Sequence, residues 1–250
     1  MIGPRASRTR LSLAGLEGEC VPALAEELRR IYLGGGWAYD ALYARSAAVL
    51  LRGRVPVVAA TLGGMPVIAK RLTHGGLLAR LTGDRFLTTR RWRAALAAAD
   101  FLRERDVDTP EPVFAAWRRR GPFVRGELGF RRVMGAIDAS DHLFGGAAAL
   151  PGGWREAAGA IGRTVARLHA LGVVHGDLNL MNFLLPAGGK VMIIDLDKVR
   201  LTGTPLGEGA RRTNLARLER SVRKQGRLAP AGHVASVLVA LHQGYEAARA

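Results

Sequence analysis

The chain has 250 residues and a formal net charge of +16, with 48% hydrophobic and 23% charged residues. That apolar content supports a packed core and excludes a disordered chain, and the length fits one large domain or two lobes at about 100–200 residues per domain. A globular chain this basic seeks a polyanion, whether nucleic acid, an anionic membrane surface or a phosphorylated ligand. Lysine is scarce: Lys70, Lys190, Lys198 and Lys224 stand against 33 arginines, so a lysine at a motif position is informative. The single cysteine, Cys20, allows no disulfide within the chain and fits a reducing compartment. The stretch Met1–Cys20 lacks the apolar run of a signal peptide. Arg52-Gly53-Arg54 and Gly63-Gly64 break Ala47–Ala69 well short of the roughly 18 uninterrupted apolar residues a bilayer span needs.

In chain order, residues 1–20 read as a loose basic tail and 21–250 as one folded domain. Pro22 opens a helical pattern over Ala23–Tyr32, with Leu24, Leu28 and Ile31 on one face, ended by Gly34-Gly35-Gly36. Ala47–Leu51, Val55–Leu62 and Met65–Leu72 are short apolar runs separated by turn residues, which predicts an antiparallel meander. A helix over Thr88–Arg105 follows, then a strand pair, Val113–Trp117 and Phe123–Leu128, around Arg120-Gly121-Pro122. Beyond Pro151-Gly152-Gly153, Trp154–Leu171 is an amphipathic helix carrying Ile161, Val165 and Leu168. Phe183–Leu185 and Val191–Ile194 form a small hairpin over Ala187-Gly188-Gly189, and the remainder is helical, with Leu215, Leu218 and Val222 sharing one face and Val234–Ala248 forming the last helix. The expectation is an α+β chain in two lobes: a small antiparallel β-rich N-lobe with one helix, about 21–130, and a mostly helical C-lobe, about 131–250.

The chemistry concentrates in Val173–Asp197. An Asp, Asp177, follows a long helix; Asn182 comes five residues later at the start of a short strand; and Asp195 ends the next strand. Phosphoryl transfer from ATP needs this inventory: a carboxylate to orient the attacking hydroxyl, and an amide oxygen with a second carboxylate to hold Mg²⁺. On that reading Asp177 is the base, and Asn182 and Asp195 are the metal ligands. The competing reading makes Asp177 and Asn182 turn formers and Asp195 a strand-end cap.

Pro66-Val67-Ile68-Ala69-Lys70, ending the third strand of the meander, resembles the Val-Ala-Ile-Lys strand of protein kinases, which implies that Lys70 contacts the ATP phosphates. Arg52-Gly53-Arg54 falls where kinases place a glycine-rich lid, which implies phosphate contacts from Gly53 and Arg54. At these residues the chain resembles the protein-kinase-like lipopolysaccharide kinases, and among them the 3-deoxy-D-manno-octulosonic acid (Kdo) kinases. His175–Asn182 resembles their His-x-Asp-Leu-Asn-x-x-Asn loop, and Ile194-Asp195-Leu196-Asp197 their Ile-Asp-Phe-Asp motif. Gly75-Gly76-Leu77 with Asp84-Arg85-Phe86, and the run Asn214–Lys224, resemble two further stretches of that family. The resemblance spans roughly residues 50–225. It implies a bilobal protein-kinase-like fold and ATP- and Mg²⁺-dependent phosphorylation of a Kdo hydroxyl on a lipid A precursor. It also implies peripheral placement on the cytoplasmic face of the bacterial inner membrane.

The resemblance further implies a metal or substrate contact at Asp197, and Asn179 completes the loop. His175 reads as structural, holding backbone carbonyls, as does His169. Three positions depart from the pattern: Ala95 stands where kinases carry a helix Glu that pairs with the strand Lys, Met181 replaces a His, and Leu196 replaces a Phe. Alternatives are a heptose-type lipopolysaccharide kinase, a small Ser/Thr protein kinase, a catalytically weak kinase-like protein, and a basic nucleic-acid-binding module. The last is disfavoured by 6% aromatic content and dispersed arginines, so no nucleic-acid partner is expected. The basic helix with Arg217, Arg220, Arg223 and Lys224 reads equally as an acceptor-binding face or a solvated one.

Overall fold

The computed structural model describes residues 7–13, 15–45, 49–51, 57–73, 83–145, 153–187 and 190–249. The segments Arg52-Gly53-Arg54 and Gly75-Gly76-Leu77, singled out in the sequence, lie outside the described residues. The chain forms two compact units: the first holds the residues up to Leu96 together with Pro110–Arg132, and the second holds Ala97–Thr109 together with the residues from Val133 onward. Ala97–Thr109 thus joins the second unit, whereas the sequence reading kept it with the first.

The first unit is built on an antiparallel sheet of seven strands, β1 (Thr9–Leu13), β2 (Leu16–Cys20), β3 (Val49–Leu51), β4 (Val57–Leu62), β5 (Met65–Arg71), β6 (Pro112–Arg120) and β7 (Phe123–Arg131), in the order β1-β2-β6-β7-β5-β4-β3. The β3-β4-β5 meander matches the sequence reading. The loose tail does not: Thr9–Cys20 is a hairpin whose second strand pairs with β6, Cys20 opposite Phe114. Its reason is burial, since Leu11, Leu16 and Cys20 alternate inward and are at most 1% exposed. Burial also pushes the Cys20 thiol up to about 11, so it is inert packing.

The expected single helix of this unit is also corrected. Pro22–Leu24 is a 3₁₀ turn leading into α1 (Ala25–Leu33), α2 (Ala38–Tyr43) follows, and α3 (Arg90–Arg103) begins in this unit. Strand alternation gives the sheet two apolar faces. Val58, Val67, Ala69, Phe114 and Ala116 pack with Leu24, Leu28, Tyr32 and Leu42 of the α1–α2 side. Ala115, Trp117, Val124 and Leu128 pack on the opposite face with Trp92, Ala95 and Leu96 of α3.

The second unit is mostly helical: α4 (Ala139–Phe144), α5 (Gly153–Ala170), α6 (Glu208–Gln225) and α7 (His233–Ala247). Two small antiparallel sheets join them. One orders β11 (Met192–Ile193), β10 (Phe183–Leu185) and β8 (Ile137–Asp138); the other pairs β12 (Val199–Leu201) with β9 (Val173–His175). Ile161, Val165 and Leu168 of α5, Leu218 and Val222 of α6, and Val237 and Leu241 of α7 meet in one core with Leu178, Leu180, Phe183 and Ile193.

Small residues let α5 and α7 approach at backbone distance. A Cβ on Gly162 would lie 2.0 Å from the Leu241 carbonyl oxygen, and one on Gly244 would lie 2.1 Å from that of Gly159.

Candidate active site

β9 ends at His175, paired with Val199 of β12, and the chain then enters the loop that carries Asp177. The Gly176 N–H donates to the Lys198 carbonyl at 3.2 Å, and a Cβ at Gly176 would lie 2.6 Å from that oxygen, so only glycine lets the loop start here. Beyond Gly176 the loop's backbone has no ladder to join, and several of its polar groups are satisfied by side chains. The Asp177 carbonyl accepts from both Asn179 Nδ2 at 3.0 Å and Asn182 Nδ2 at 2.7 Å.

His175 is fully buried, and its ring ties Asp177 to the segment that carries Asp195. Its Nε2 lies 3.1 Å from the Ile194 carbonyl oxygen, and its Nδ1 accepts the Asp177 N–H at 3.3 Å. A carbonyl only accepts and an N–H only donates, so the ring is neutral with its proton on Nε2. The Ile194 N–H in turn donates to the Asn182 carbonyl at 2.9 Å. Asp195 sits in the left-handed region at φ 62°, ψ 53°, one of two described non-glycine residues with positive φ. Such a conformation costs on the order of 1 kcal/mol or more and persists only where surrounding contacts impose it.

Asp177, Asn179, His175 and Asn182 are therefore brought into one bonded constellation, which is tied to Ile194, the residue before Asp195. Asp195 is half-buried, while Asp197, in the 3₁₀ turn Leu196–Lys198, is only 7% exposed. Lys198 had no role in the sequence reading, yet its Nζ lies 3.7 Å from Asp177 Oδ2, with both side chains about half exposed. Its signal was the scarcity of lysine. The donor set fits a hard divalent cation: with Asn182 Nδ2 committed to a carbonyl, the amide atom left for a ligand is Oδ1, and Asp195 adds a carboxylate. Among the described residues no cluster of three or more His, Cys, Asp or Glu offers a different metal centre.

α6 braces the loop from outside. Asn214 Nδ2 donates to the His175 carbonyl at 3.0 Å, and Asn214 Oδ1 accepts the His175 N–H at 3.4 Å. Arg217 donates to the Gly176 carbonyl, and Ser221 Oγ accepts the Leu180 N–H at 3.1 Å. Behind Asn214, His169 of α5 places Nε2 3.3 Å from Asn214 Oδ1 and Nδ1 2.9 Å from the Tyr245 hydroxyl of α7. Since Asn214 Oδ1 is an acceptor, His169 Nε2 carries the proton and Tyr245 donates to Nδ1. Burial, with a smaller contribution from Arg211, lowers the His169 pKa to about 4 against the Asn214 hydrogen bond that raises it, so the ring is neutral at pH 7.

In the first unit, Lys70 lies on β5 opposite Leu128, its Nζ 5.7 Å from the Phe130 ring centroid. Ala95 is fully buried among Leu72, Phe86, Trp92 and Leu128, so no acidic group stands at that position. A buried acid does occur nearby in the fold, and the sequence reading missed it. Glu127 is fully buried on β7. It accepts from the Tyr32 hydroxyl at 2.7 Å and from the Ala38 and Tyr39 N–H groups at 2.9 and 2.8 Å. Glu127 pairs with Arg71, and Lys70 with Leu128, so Glu127 and Lys70 face opposite sides of the sheet. Burial raises the Glu127 pKa, opposed by those three hydrogen bonds and by Arg71. Asp84-Arg85-Phe86 contributes structure: Asp84 accepts from Arg125 Nε at 2.8 Å, and Phe86 packs edge-on to Trp92.

The loop holds the carboxylate and amide inventory that phosphoryl transfer needs, and the family of the chain is shown by comparison with known proteins. Residues 63–240 match the sequence profile of the lipopolysaccharide kinase (Kdo/WaaP) family. The chain belongs to that family, and is a kinase that transfers phosphate to an alcohol acceptor. It is 34% identical over 173 residues to a 3-deoxy-D-manno-octulosonic acid kinase of Vibrio vulnificus (strain YJ016), covering 64% of this chain and 68% of that protein. It is 28% identical over 225 residues to the protein of the same name from Xanthomonas campestris pv. campestris (strain B100), covering 86% and 76%. A third, from Xanthomonas oryzae pv. oryzae (strain PXO99A), is 29% identical over 225 residues, with 86% and 76% covered.

Proposed function

We propose that this chain transfers the γ-phosphoryl group of ATP to a hydroxyl of Kdo on a lipid A precursor, on a bilobal protein-kinase-like fold. The reading rests on the names of the relatives, and one observation carries the chemistry: Asp177 is held through its own backbone by Asn179, Asn182 and His175. A loop fixed this way presents the carboxylate as a base without reorganisation during reaction. Asp177 takes the proton of the sugar hydroxyl as its oxygen bonds to the γ-phosphorus and the bond to the β-bridging oxygen breaks, releasing ADP. Asn182 and Asp195 would hold Mg²⁺, which when bound neutralises phosphate charge. Lys70 contacts the α- and β-phosphates as a compact point charge. The His175 ring keeps Asp177 and Asp195 in fixed register throughout.

The net charge of +16 suits an acceptor bearing phosphates and carboxylates in an anionic leaflet. Among the described residues no helix is long and apolar enough to cross a membrane, and the reading places the chain peripherally on the cytoplasmic face of the inner membrane. The test is ATP consumption with a Kdo-bearing lipid A precursor, beside a heptose-bearing acceptor and an Asp177→Asn control. Turnover on the Kdo acceptor, lowered about 10²–10⁴-fold by the substitution, supports the reading. Turnover on the heptose acceptor alone moves the substrate within the family. A second reading, a kinase of weak activity, draws on the fully buried Ala95. It is favoured if nucleotide binds while Asp177→Asn leaves turnover unchanged.

A further inference from the structure

The reacting loop leaves β9 at His175 and reaches β10 at Phe183 with few backbone partners of its own. Besides the bonds the loop makes to itself at Asp177, four of its backbone groups are met from α6. Asn214 takes both the N–H and the C=O of His175, Arg217 takes the C=O of Gly176, and Ser221 takes the N–H of Leu180. These three residues are spaced three and four apart on α6, so they form one stripe along the helix. Leu218 and Val222, adjacent to the stripe, are fully buried and seat that face of α6 in the core. Three other basic residues of the same helix are turned elsewhere: Arg220, Arg223 and Lys224 are exposed, and Arg223 pairs with Glu219 at 3.2 Å.

We propose that α6 is a splint for the reacting loop, with Asn214, Arg217 and Ser221 as positioning residues that set where Asp177 stands. Arg217 is thereby separated from the basic surface of its own helix: its guanidinium is spent on a main-chain carbonyl beside Asp177 and does not bind an acceptor. Each of these four bonds from the stripe to the loop is to backbone, so side chains of the loop keep their own roles while the frame beneath them is held. Misplacing a reacting group by an ångström costs on the order of 100-fold in rate. Loss of a splint residue therefore lowers the rate of phosphoryl transfer and leaves substrate affinity in place.

The inference rests on Asp177 being the reacting group, and its test uses readouts that do not need the acceptor to be known. Arg217→Met and Ser221→Ala are compared with Arg217→Lys, Ser221→Thr and Asp177→Asn in the full chain. Three quantities are measured: slow ATP hydrolysis without acceptor, transfer to a Kdo-bearing lipid A precursor, and amide hydrogen exchange over residues 175–182. Arg217→Met and Ser221→Ala are expected to lower kcat about 10- to 100-fold, to keep KM for ATP and for acceptor within about twofold, and to speed exchange of the loop amides. Arg217→Lys and Ser221→Thr recover most of the rate. A raised acceptor KM with unchanged kcat in Arg217→Met overturns the inference by making Arg217 an acceptor ligand. Unchanged kcat in both truncations overturns it as well, whatever happens to stability. Failure of the proposed function is separate: it appears as Asp177→Asn matching wild type, or as wild type idle on the Kdo acceptor while still hydrolysing ATP.

Discussion

Acidification should unfasten the second unit through one imidazole. His169 has no exposed surface, donates through Nε2 to Asn214 and accepts through Nδ1 from Tyr245. A second proton would turn the acceptor into a donor facing a hydroxyl that already points its hydrogen there. The folded pKa of about 4 lies below the ordinary value of 6.5, so the native state binds this proton less readily than the unfolded chain. Stability from the neutral ring is therefore complete above pH 6.5 and drains away as pH falls from 6.5 toward 4. At 1.36 kcal/mol per pK unit the loss is roughly 2 kcal/mol by pH 5 and about 3 kcal/mol by pH 4. Urea denaturation at pH 7, 6, 5 and 4.5 measures it, with His169→Gln as the comparison, since a glutamine offers one donor and one acceptor but does not titrate. Other carboxylates contribute to both proteins alike, so the difference between the two curves isolates His169. Wild type and His169→Gln losing stability in parallel across that range would refute the reasoning.

Other substitutions test the packing around the site. Gly244→Ala drives a methyl into the Gly159 carbonyl at the α5–α7 crossing and should cost at least about 3 kcal/mol, read as a fall of roughly 6 °C or more in Tm. Since Tyr245 follows directly, the residual folded protein should also lose turnover. Ala95→Glu, which restores an acid at the position kinases use, buries a carboxylate among Leu72, Phe86 and Trp92. It should lower stability by roughly 3 kcal/mol or more with no gain in kcat, measured by thermal melt and ATP turnover. Glu127→Gln replaces one accepting oxygen by an NH₂ group that must face a donor, the Tyr32 hydroxyl and Ala38 N–H on one side or the Tyr39 N–H on the other. It should cost about 1–3 kcal/mol by urea denaturation.

Elements with strong local patterns were legible in the sequence. The helix expected over Trp154–Leu171 is Gly153–Ala170, and the meander strands lie within two residues of their expected bounds. Where partners are distant, the pattern was mute. Among its described residues Thr9–Cys20 buries only three hydrophobic side chains in an Arg- and Glu-bearing stretch, and its order comes from pairing with β6, about a hundred residues away. α2 has six residues and no side-chain cap; what holds its first turn is Glu127, from β7. An acid inside an otherwise apolar strand was the available signal there, because a lone buried charge demands partners.

Within the candidate site, the run His175–Asp195 pointed to the kinase family because loop spacing is local. Its supports were not readable as supports. Asn214 and Arg217 looked like part of a basic helix, and their meaning depends on carbonyls 39 and 41 residues earlier in the chain. Lys198 lies 21 positions from Asp177, and only the turn over Leu196–Lys198 brings it within 3.7 Å.

The hydrogen bonds behind the loop have a direction. Tyr245 gives its proton to His169, His169 gives its own to Asn214, Asn214 gives one to the His175 carbonyl, and the His175 ring gives one to Ile194. Donation thus runs in one sense from Tyr245 to the His175 carbonyl, and the separate ring bond of His175 reaches the segment carrying Asp195. Aligned bonds polarise one another, so each link strengthens its neighbours. The row admits one proton arrangement: turning over the Asn214 amide would set its NH₂ against two N–H donors and its oxygen against a carbonyl. The loop therefore inherits one orientation through a row of donors that begins at Tyr245 on α7, and a reversal at one link forces a change at the next.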